Sequence, residues 1–184
     1  PGVSYTPRDF IPTTRFSTIS TIPIPFSPPR IDQKVIDEVV DTLKSGWITT
    51  GPKTKEFERR LTAYCGNKAT LAVNSNTVGL EVVLRWFGVQ EGDEVIVPAY
   101  TYCATANVIV HCGAKPVMVD VNADDFDVCL EKVREAITDK TKVIMPVDLG
   151  GMPCAYDELF ELVEAEDVKM LFQAKTEEQK KLGR

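Results

Sequence analysis

A short polar segment between two apolar runs is the part of this sequence best suited to chemistry. The run Leu71-Ala-Val-Asn-Ser-Asn-Thr77 ends a β-type pattern in amides and hydroxyls, and a helix-type pattern follows from Val78. A strand that turns directly into a helix leaves backbone N–H groups free at the positive end of the helix dipole. Here those groups would lie beside the hydroxyls of Ser75 and Thr77, which predicts a site for an anion, phosphate above all. Asn76 is at the tightest point, where asparagine tolerates a left-handed backbone.

Two other interpretations of reactive residues stay open at this point. Asn74, Ser75 and Asn76 have the residue types of a simple helix cap, which needs no ligand. His111 is the only histidine and stands next to Cys112, so a metal site is conceivable. A capping or packed histidine is the favoured interpretation, because the five cysteines are scattered and no C-x-x-C spacing occurs. We therefore predict no metal site.

Composition limits the class of protein. The 184 residues suffice for one domain with a core, and 43% hydrophobic with 26% charged residues is ordinary for a globular protein. A net charge of −6 gives no indication of a nucleic-acid or membrane partner. No apolar run approaches the roughly 20 residues of a membrane span, and no signal peptide is recognisable. An odd number of scattered cysteines favours reduced thiols in the cytoplasm.

Four strand–helix units are predicted to position the polar corner. Apolar strands that alternate with helices predict a parallel α/β sheet covered on both faces, whose ligands bind at the carboxyl ends of the strands. Three polar groups then share one edge, and a phosphate corner near an aromatic ring suits a flat phosphorylated cofactor. The strands are predicted at 69–74, 93–98, 116–121 and 142–147, the helices at 77–88, 102–112, 128–138 and 156–165, and the polar groups are Ser75/Asn76/Thr77, Tyr100/Thr101/Tyr102 and Asp148.

The segments before and after these units have their own patterns. Residues 1–22, rich in Ser, Thr and Pro, are predicted to be a flexible leader. Asp32 is predicted to cap an amphipathic helix that ends at Gly46, and Thr54 to open a second helix. From Asp167 to Arg184 the charged composition predicts a solvated helix. Four units followed by an abrupt end indicate part of a larger sheet.

Four segments together resemble a known family. Ser-Gly-Trp-Ile-Thr-Thr-Gly-Pro (45–52), Ala-Val-Asn-Ser-Asn-Thr-Val-Gly-Leu (72–80), Gly-Asp-Glu-Val-Ile-Val-Pro-Ala-Tyr-Thr-Tyr-Cys-Ala-Thr (92–105) and Gly-Ala-Lys-Pro-Val-Met-Val-Asp-Val (113–121) look like the N-terminal half of the DegT/DnrJ/EryC1/StrS aminotransferases. The resemblance covers residues 22–166. It implies the N-terminal part of a fold-type-I pyridoxal-phosphate transferase large domain, the aspartate-aminotransferase fold. The implied division is N-terminal helices with a substrate-side loop at 23–66, an incomplete cofactor-binding domain at 67–184, and no C-terminal small domain.

The resemblance also implies roles for individual residues. The family's phosphate motif falls on Ser75, Asn76 and Thr77, where the usual Gly or Ala is Asn76. The aromatic residue over the pyridine ring of pyridoxal 5'-phosphate falls on Tyr102. The loop on the sugar side of the pocket falls on Trp47, Thr49, Thr50 and Gly51. Asp148 stands where many members have His, and no acid–base role is assigned to it.

No catalytic residue is predicted within the chain. By resemblance, the aspartate that pairs with the pyridinium nitrogen and the lysine that forms the Schiff base are expected beyond Arg184. Lys68, Lys115 and Lys142 are each near the start of a predicted strand, at the edge opposite the pocket. The chain as given is therefore expected to be inactive alone.

The resemblance implies a pyridoxal-phosphate-dependent aminotransferase that acts on a nucleotide-linked keto-sugar, with glutamate as amino donor, in a cytoplasmic homodimer of polysaccharide biosynthesis. Two alternatives stay open: a sugar dehydratase of the same family, and a non-catalytic half-domain that acts as a binding or interaction protein. A nicotinamide-binding domain is disfavoured because no G-x-G-x-x-G follows a strand, and a P-loop kinase because no G-x-x-x-x-G-K-[ST] occurs.

Overall fold

The computed structural model describes residues 28–181. Its described residues divide into two compact units, with the boundary between Arg60 and Leu61. The leader predicted at 1–22 lies outside the described residues. In chain order the elements are α1 (Gln33–Ser45), α2 (Pro52–Cys65), α3 (Asn76–Trp86), β1 (Glu94–Pro98), α4 (Cys103–His111), β2 (Lys115–Val119), α5 (Leu130–Ala136), β3 (Thr141–Ile144), a 3-10 turn (Leu149–Gly151), α6 (Tyr156–Glu164), α7 (Glu166–Lys169) and α8 (Glu177–Lys180).

The first unit confirms the predicted caps of α1. The carboxylate of Asp32 accepts a hydrogen bond from the Val35 amide at 3.2 Å, and Gly46 ends the helix with φ 73° and an N–H bond to Leu43 O. The second helix begins at Pro52 rather than at the predicted Thr54. Proline fits the first helical position because it has no N–H to satisfy there.

The second unit contains a parallel sheet, as predicted. In the described residues the sheet has three strands in the order β2-β1-β3, with β1 parallel to both neighbours. Successive side chains of β1 point to opposite faces. Val95 and Val97 belong to one buried cluster with Leu84, Val108 and Ile109 of α3 and α4, whereas Ile96 belongs to another with residues of α5 and α6. Helices thus cover both faces of the sheet.

The strand predicted at 69–74 is wrong for this structure. The segment is irregular and pairs with neither edge of the sheet, and Leu71 and Val73 are 72% and 40% exposed. A strand is stabilised by ladder hydrogen bonds to a neighbour, which the segment lacks in residues 28–181. Its apolar residues alternate as they do in a strand, but no strand among residues 28–181 pairs with it.

The solvated helix predicted from Asp167 is also wrong. Two short helices, α7 and α8, replace it, and Gln179 in α8 is wholly buried. The Gln179 amide donates to Gly88 O at 2.8 Å and to Asp93 Oδ2 at 2.7 Å, so the charged segment is anchored to the turn before β1. A buried polar side chain with two such partners is not signalled by composition. No helix among residues 28–181 combines the length and apolarity that a membrane crossing requires.

Candidate functional site

The polar corner at Ser75 is an ordered start of α3. Ser75 is extended (φ −160°, ψ 157°), and its Oγ accepts a hydrogen bond from the Val78 amide at 3.2 Å. The backbone bond from Gly79 N to Ser75 O, 3.1 Å long, closes the first helical turn. The amides of Asn76 and Thr77 precede that bond and lie at the positive end of the helix. Helix capping by Ser75 is confirmed, and it leaves two aimed amides beside an exposed serine hydroxyl.

The left-handed turn suggested for Asn76 is wrong. Asn76 is the first residue of α3, and it is absent from the residues of positive φ in the described part of the chain. The extended backbone of Ser75 makes the change of direction instead, so no strained residue is needed. The Asn76 side chain is exposed.

Tyr102 starts the neighbouring helix and presents its ring to solvent. It is the extended N-cap of α4, it makes no side-chain cap, and 77% of its surface is exposed. The turn before it is fixed by a 2.8 Å hydrogen bond between the hydroxyls of Thr101 and Thr105. An exposed ring on a fixed turn is available for a flat ligand.

The starts of α3 and α4 lie at the same edge of the sheet. Helix α4 joins the carboxyl end of β1 to the start of the parallel strand β2, so it runs back along the sheet, and α3 precedes β1 in the chain. Their far ends are joined: Arg85 donates to His111 O at 2.9 Å, and Glu81 contacts both Arg85 and the His111 ring, the latter at 3.1 Å. The start of α3 and Tyr102 are therefore both at the carboxyl edge of the strands.

Asp148 follows β3 at this edge and has two hydrogen-bond donors. Its Oδ1 accepts from the Cys154 amide at 3.0 Å and from the Tyr156 hydroxyl at 2.9 Å. These two hydrogen bonds, the amide's being the stronger cause, lower the pKa of Asp148. The bond to the Asp148 carboxylate raises the pKa of Tyr156 to about 12. The pair organises the loop that contains the 3-10 turn.

Cys154 lies in the same loop, and it is buried. Asp127 accepts from the Ala155 amide at 2.9 Å, so the loop after β2 is bonded to the loop after β3. Burial, together with hydrogen bonds to Asp127 and Asp148, raises the pKa of Cys154 to about 12. This thiol is structural, because only the thiolate is an effective nucleophile.

The loop predicted to contact the sugar belongs to the first unit. The Trp47 indole Nε1 donates to Thr50 O at 3.0 Å, and a Cβ on Gly51 would lie 2.2 Å from that nitrogen. Gly51 is buried under the ring, whereas Trp47 is 56% exposed and both threonines are exposed. Glycine at 51 is thus a steric requirement of this loop, which holds an accessible aromatic ring beside two hydroxyls.

Lysines lie at the opposite edge of the sheet, as predicted for Lys115 and Lys142. Lys115 pairs with Glu94 at 3.0 Å, and Lys142 is buried and donates to Asp139 O at 2.7 Å. Burial lowers the pKa of Lys142. Lys68 precedes the irregular segment at 69–74. In residues 28–181 no group of three or more His, Cys, Asp or Glu is arranged to bind a metal.

Comparison with known proteins decides the family. Residues 29–175 match the DegT/DnrJ/EryC1/StrS aminotransferase family. The chain belongs to this family. Its aminotransferases use pyridoxal 5'-phosphate, and the three-stranded sheet with flanking helices is part of a fold-type-I pyridoxal-phosphate transferase domain.

Several relatives are similar over most of this chain. The structure described as sugar aminotransferase Spr1654 from Streptococcus pneumoniae, in its PMP form, is 54% identical with a TM-score of 0.82, over 88% of this chain and 40% of that one. Uncharacterized protein MJ1066 from Methanocaldococcus jannaschii is 43% identical over 78% of this chain and 37% of its own length. Spore coat polysaccharide biosynthesis protein SpsC from Bacillus subtilis is 39% identical over 77% and 36%. The chain thus spans about two fifths or less of the length of these relatives.

The residues at the carboxyl edge fit the cofactor of the family. A phosphate dianion needs aimed amides, hydroxyl donors and positive potential, and the start of α3 supplies all of these. A flat heteroaromatic ring needs an accessible aromatic face, and Tyr102 supplies one. Asn76 adds an amide side chain where the family motif is usually smaller, but it is exposed and leaves the helix start undistorted.

Proposed function

We propose that the protein containing this chain is a pyridoxal-phosphate-dependent aminotransferase that converts the keto group of a nucleotide-linked sugar into an amine, with glutamate as amino donor. The observation that carries the proposal is the phosphate corner of α3, which shares one edge of the sheet with the exposed ring of Tyr102. Family membership and 54% identity to a structure described as a sugar aminotransferase support the substrate class.

In this proposal the second unit binds and orients the cofactor. The amides of Asn76 and Thr77, with the hydroxyls of Ser75 and Thr77, hold the phosphate, and the dipole of α3 offsets its charge. Tyr102 packs against the pyridine ring and fixes its plane. Bound pyridoxal phosphate supplies the electron sink for the substrate carbon. Residues at this edge thus hold the cofactor, while the lysines of the opposite edge have no role in it.

In the same proposal, the loop that contains Trp47 in the first unit contacts the sugar. Trp47 presents an aromatic surface, and the hydroxyls of Thr49 and Thr50 hydrogen-bond sugar hydroxyls. Gly51 keeps the indole in place, since a side chain there would collide with the ring. Residues 23–66 would form this substrate-side region and 67–184 the cofactor-binding region.

A cytoplasmic homodimer is part of the same proposal. The apolar stripe of α1 supports a dimer, because a partner subunit would cover it. In that stripe Val35, Val39 and Leu43 are 44%, 55% and 64% exposed. The five cysteines are all free thiols, which agrees with a reducing compartment.

The test uses the complete natural reading frame, from its own start codon to its stop codon. The purified protein, loaded with pyridoxal phosphate, is incubated with glutamate and a UDP- or dTDP-linked 4-keto-sugar. We expect equal amounts of 2-oxoglutarate and an amino-sugar product, identified by NMR. A deoxygenated product without nitrogen would instead support the dehydratase alternative, and no turnover with any keto-sugar would refute the proposal.

A pair of matched variants tests the cofactor site separately. Thr77→Val removes one hydroxyl from the phosphate corner, and we expect the cofactor Kd to rise about tenfold, the equivalent of one charge-assisted hydrogen bond. Thr42→Val removes a hydroxyl that bonds Glu38 O on α1, at 2.8 Å, and should leave the Kd unchanged. Equal affinity in both variants would show that the corner does not bind the phosphate.

A further inference from the structure

Two aromatic rings that have no role in the proposed cofactor site meet at the carboxyl edge of the sheet. The ring centroids of Tyr100 and Phe126 are 5.6 Å apart, with an interplanar angle of 51°. Tyr100 follows β1, two residues before Tyr102, and Phe126 lies in the loop after β2. They are 56% and 51% exposed, so the contact leaves about half of each side chain open to solvent.

Phe126 has an unusual backbone conformation. In the part of the chain that the structure describes, it is the one residue other than glycine with a positive φ, 61°. A side chain in the left-handed region is crowded by its own backbone, and for a bulky residue this is a real outlier. Glycine or asparagine would meet the geometry of the turn at lower cost. The turn therefore does not explain why phenylalanine occupies this position.

The surrounding loop holds Phe126 in this conformation. Asn122 N donates to Asp127 O at 2.8 Å, and Phe126 N donates to Asn122 O at 3.1 Å. The carboxylate of Asp127 bonds Ala155 N and so fixes the loop to the one after β3. The contact with Tyr100 leaves Phe126 51% exposed, so the residue is not part of the buried core. A strained, half-exposed aromatic residue on a fixed loop is typical of a binding position.

We propose that Tyr100 and Phe126 form an aromatic subsite for the pyranose ring of the sugar substrate. The inference rests on the proposed function, because it assigns a place to the sugar of that reaction. The apolar C–H face of a pyranose packs on such rings. The exposed carboxylates of Asp124 and Asp125, beside Phe126 in the sequence, are acceptors for sugar hydroxyls. Their negative charge disfavours the diphosphate, so the sugar rather than the nucleotide end is placed here.

Saturation-transfer NMR on the complete natural protein tests the subsite without turnover. The probes are methyl α-glucopyranoside, UDP-glucose and UDP alone. In the native protein we expect saturation of the pyranose protons of both sugar probes. Phe126→Gly removes the ring and relieves the positive φ, so the variant should unfold at an unchanged or higher temperature. Its Kd for methyl α-glucopyranoside should nevertheless rise about tenfold, the equivalent of one lost aromatic contact.

Phe160→Ala is the control, because Phe160 is another exposed phenylalanine, on α6, with 64% exposure. It should leave sugar saturation unchanged. Saturation confined to the uracil protons, or sugar saturation that survives Phe126→Gly, would overturn the subsite. A protein that aminates keto-sugars but shows no loss of sugar affinity in Phe126→Gly would refute the subsite and leave the proposed function intact. Failure to aminate keto-sugars, with a sugar signal that depends on Phe126, would refute the proposed function and leave the subsite intact.

Discussion

The two edges of the sheet use polar residues in opposite ways. At the carboxyl edge, Ser75, Asn76 and Tyr102 are exposed, and the start of α3 keeps amides outside its helical ladder. At the amino edge, Asp93 and Gln179 are wholly buried. Asp93 accepts from Lys175 Nζ at 2.6 Å, from Gln179 Nε2 at 2.7 Å and from Gln90 N at 3.1 Å.

This difference separates polar groups that can bind a ligand from those that stabilise the fold. A buried polar group without a partner is costly, and in residues 28–181 no buried side-chain polar atom lacks one. The amino edge has used its hydrogen-bonding capacity internally. The carboxyl edge retains capacity, which is what a binding site requires. Residue type alone does not distinguish the two edges.

The largest expected effect is at the amino edge. Asp93→Ala removes the acceptor shared by Lys175, Gln179 and Gln90, so we expect a loss of about 3 kcal/mol in the free energy of unfolding, measured in urea. Asp167→Ala is the matched control, because its ion pair with Arg134 joins side chains that are 63% and 51% exposed. We expect less than about 1 kcal/mol there. Similar losses in the two variants would show that the buried network stabilises the fold no more than a surface ion pair does.

The same network shows which contacts could not be predicted from the sequence. Alternation of apolar strands and helices predicted a parallel sheet covered on both faces, because both periods are local properties of the sequence. Gln179 stands in a highly charged segment, and its partner Asp93 is far away in the chain, so no local pattern signals the contact. The segment 69–74 failed for the complementary reason: its pattern is that of a strand, but pairing depends on a neighbour.

A smaller effect compares two helix caps at opposite edges. Ser75 caps α3 at the carboxyl edge, and Thr176 caps α8 at the amino edge by accepting from Gln179 N at 3.1 Å. Replacement of either by Ala should cost about 1 kcal/mol of stability. Ser75→Ala should also weaken pyridoxal phosphate binding, measured by equilibrium titration, whereas Thr176→Ala should not. A loss of cofactor affinity in both variants would contradict a division of labour between the edges.

The position of the candidate site could be predicted to the extent that it depends on helix starts. Ser75 and Tyr102 could be placed at one edge because each follows an apolar run and opens a helix, and parallel topology brings such positions together. Phe126 could not be found, since positive φ at phenylalanine has no sequence signal. The prediction for Asn76 was wrong. Asparagine tolerates a left-handed backbone, which suggested a left-handed turn there, but the extended backbone of Ser75 makes the change of direction instead.

The next effect is a pH dependence at the carboxyl edge. The folded pKa of Asp148 is lowered, so its contribution to stability is present above the usual aspartate pKa and is lost as the pH falls through the folded value. The pKa of Tyr156 is raised to about 12, so its contribution is complete below the usual tyrosine pKa and is lost as the pH rises through about 12.

Asp148→Asn tests this coupling. We expect the pKa of Tyr156 to fall toward the ordinary value of about 10, followed by NMR of tyrosine labelled at Cζ and assigned with Tyr156→Phe. Asp157→Asn, on the adjacent residue of α6, should leave the titration of Tyr156 unchanged. An unaltered pKa in Asp148→Asn would mean that the carboxylate does not hold the phenol in solution.

The smallest expected effect concerns the reactivity of thiols at the carboxyl edge, where one cysteine is exposed and another is buried. Cys103, at the start of α4, is exposed, whereas Cys154, in the loop after Asp148, is 6% exposed and has its pKa raised to about 12. At pH 8 the thiolate fraction of Cys154 is then on the order of 10³-fold below that of an ordinary thiol. Iodoacetamide should therefore modify Cys103 and exposed Cys65 well before Cys154, as measured by peptide mass spectrometry. Equal rates at Cys103 and Cys154 would show that the loop opens freely and exposes its buried thiol. The carboxyl edge would then not hold a ligand on a rigid surface.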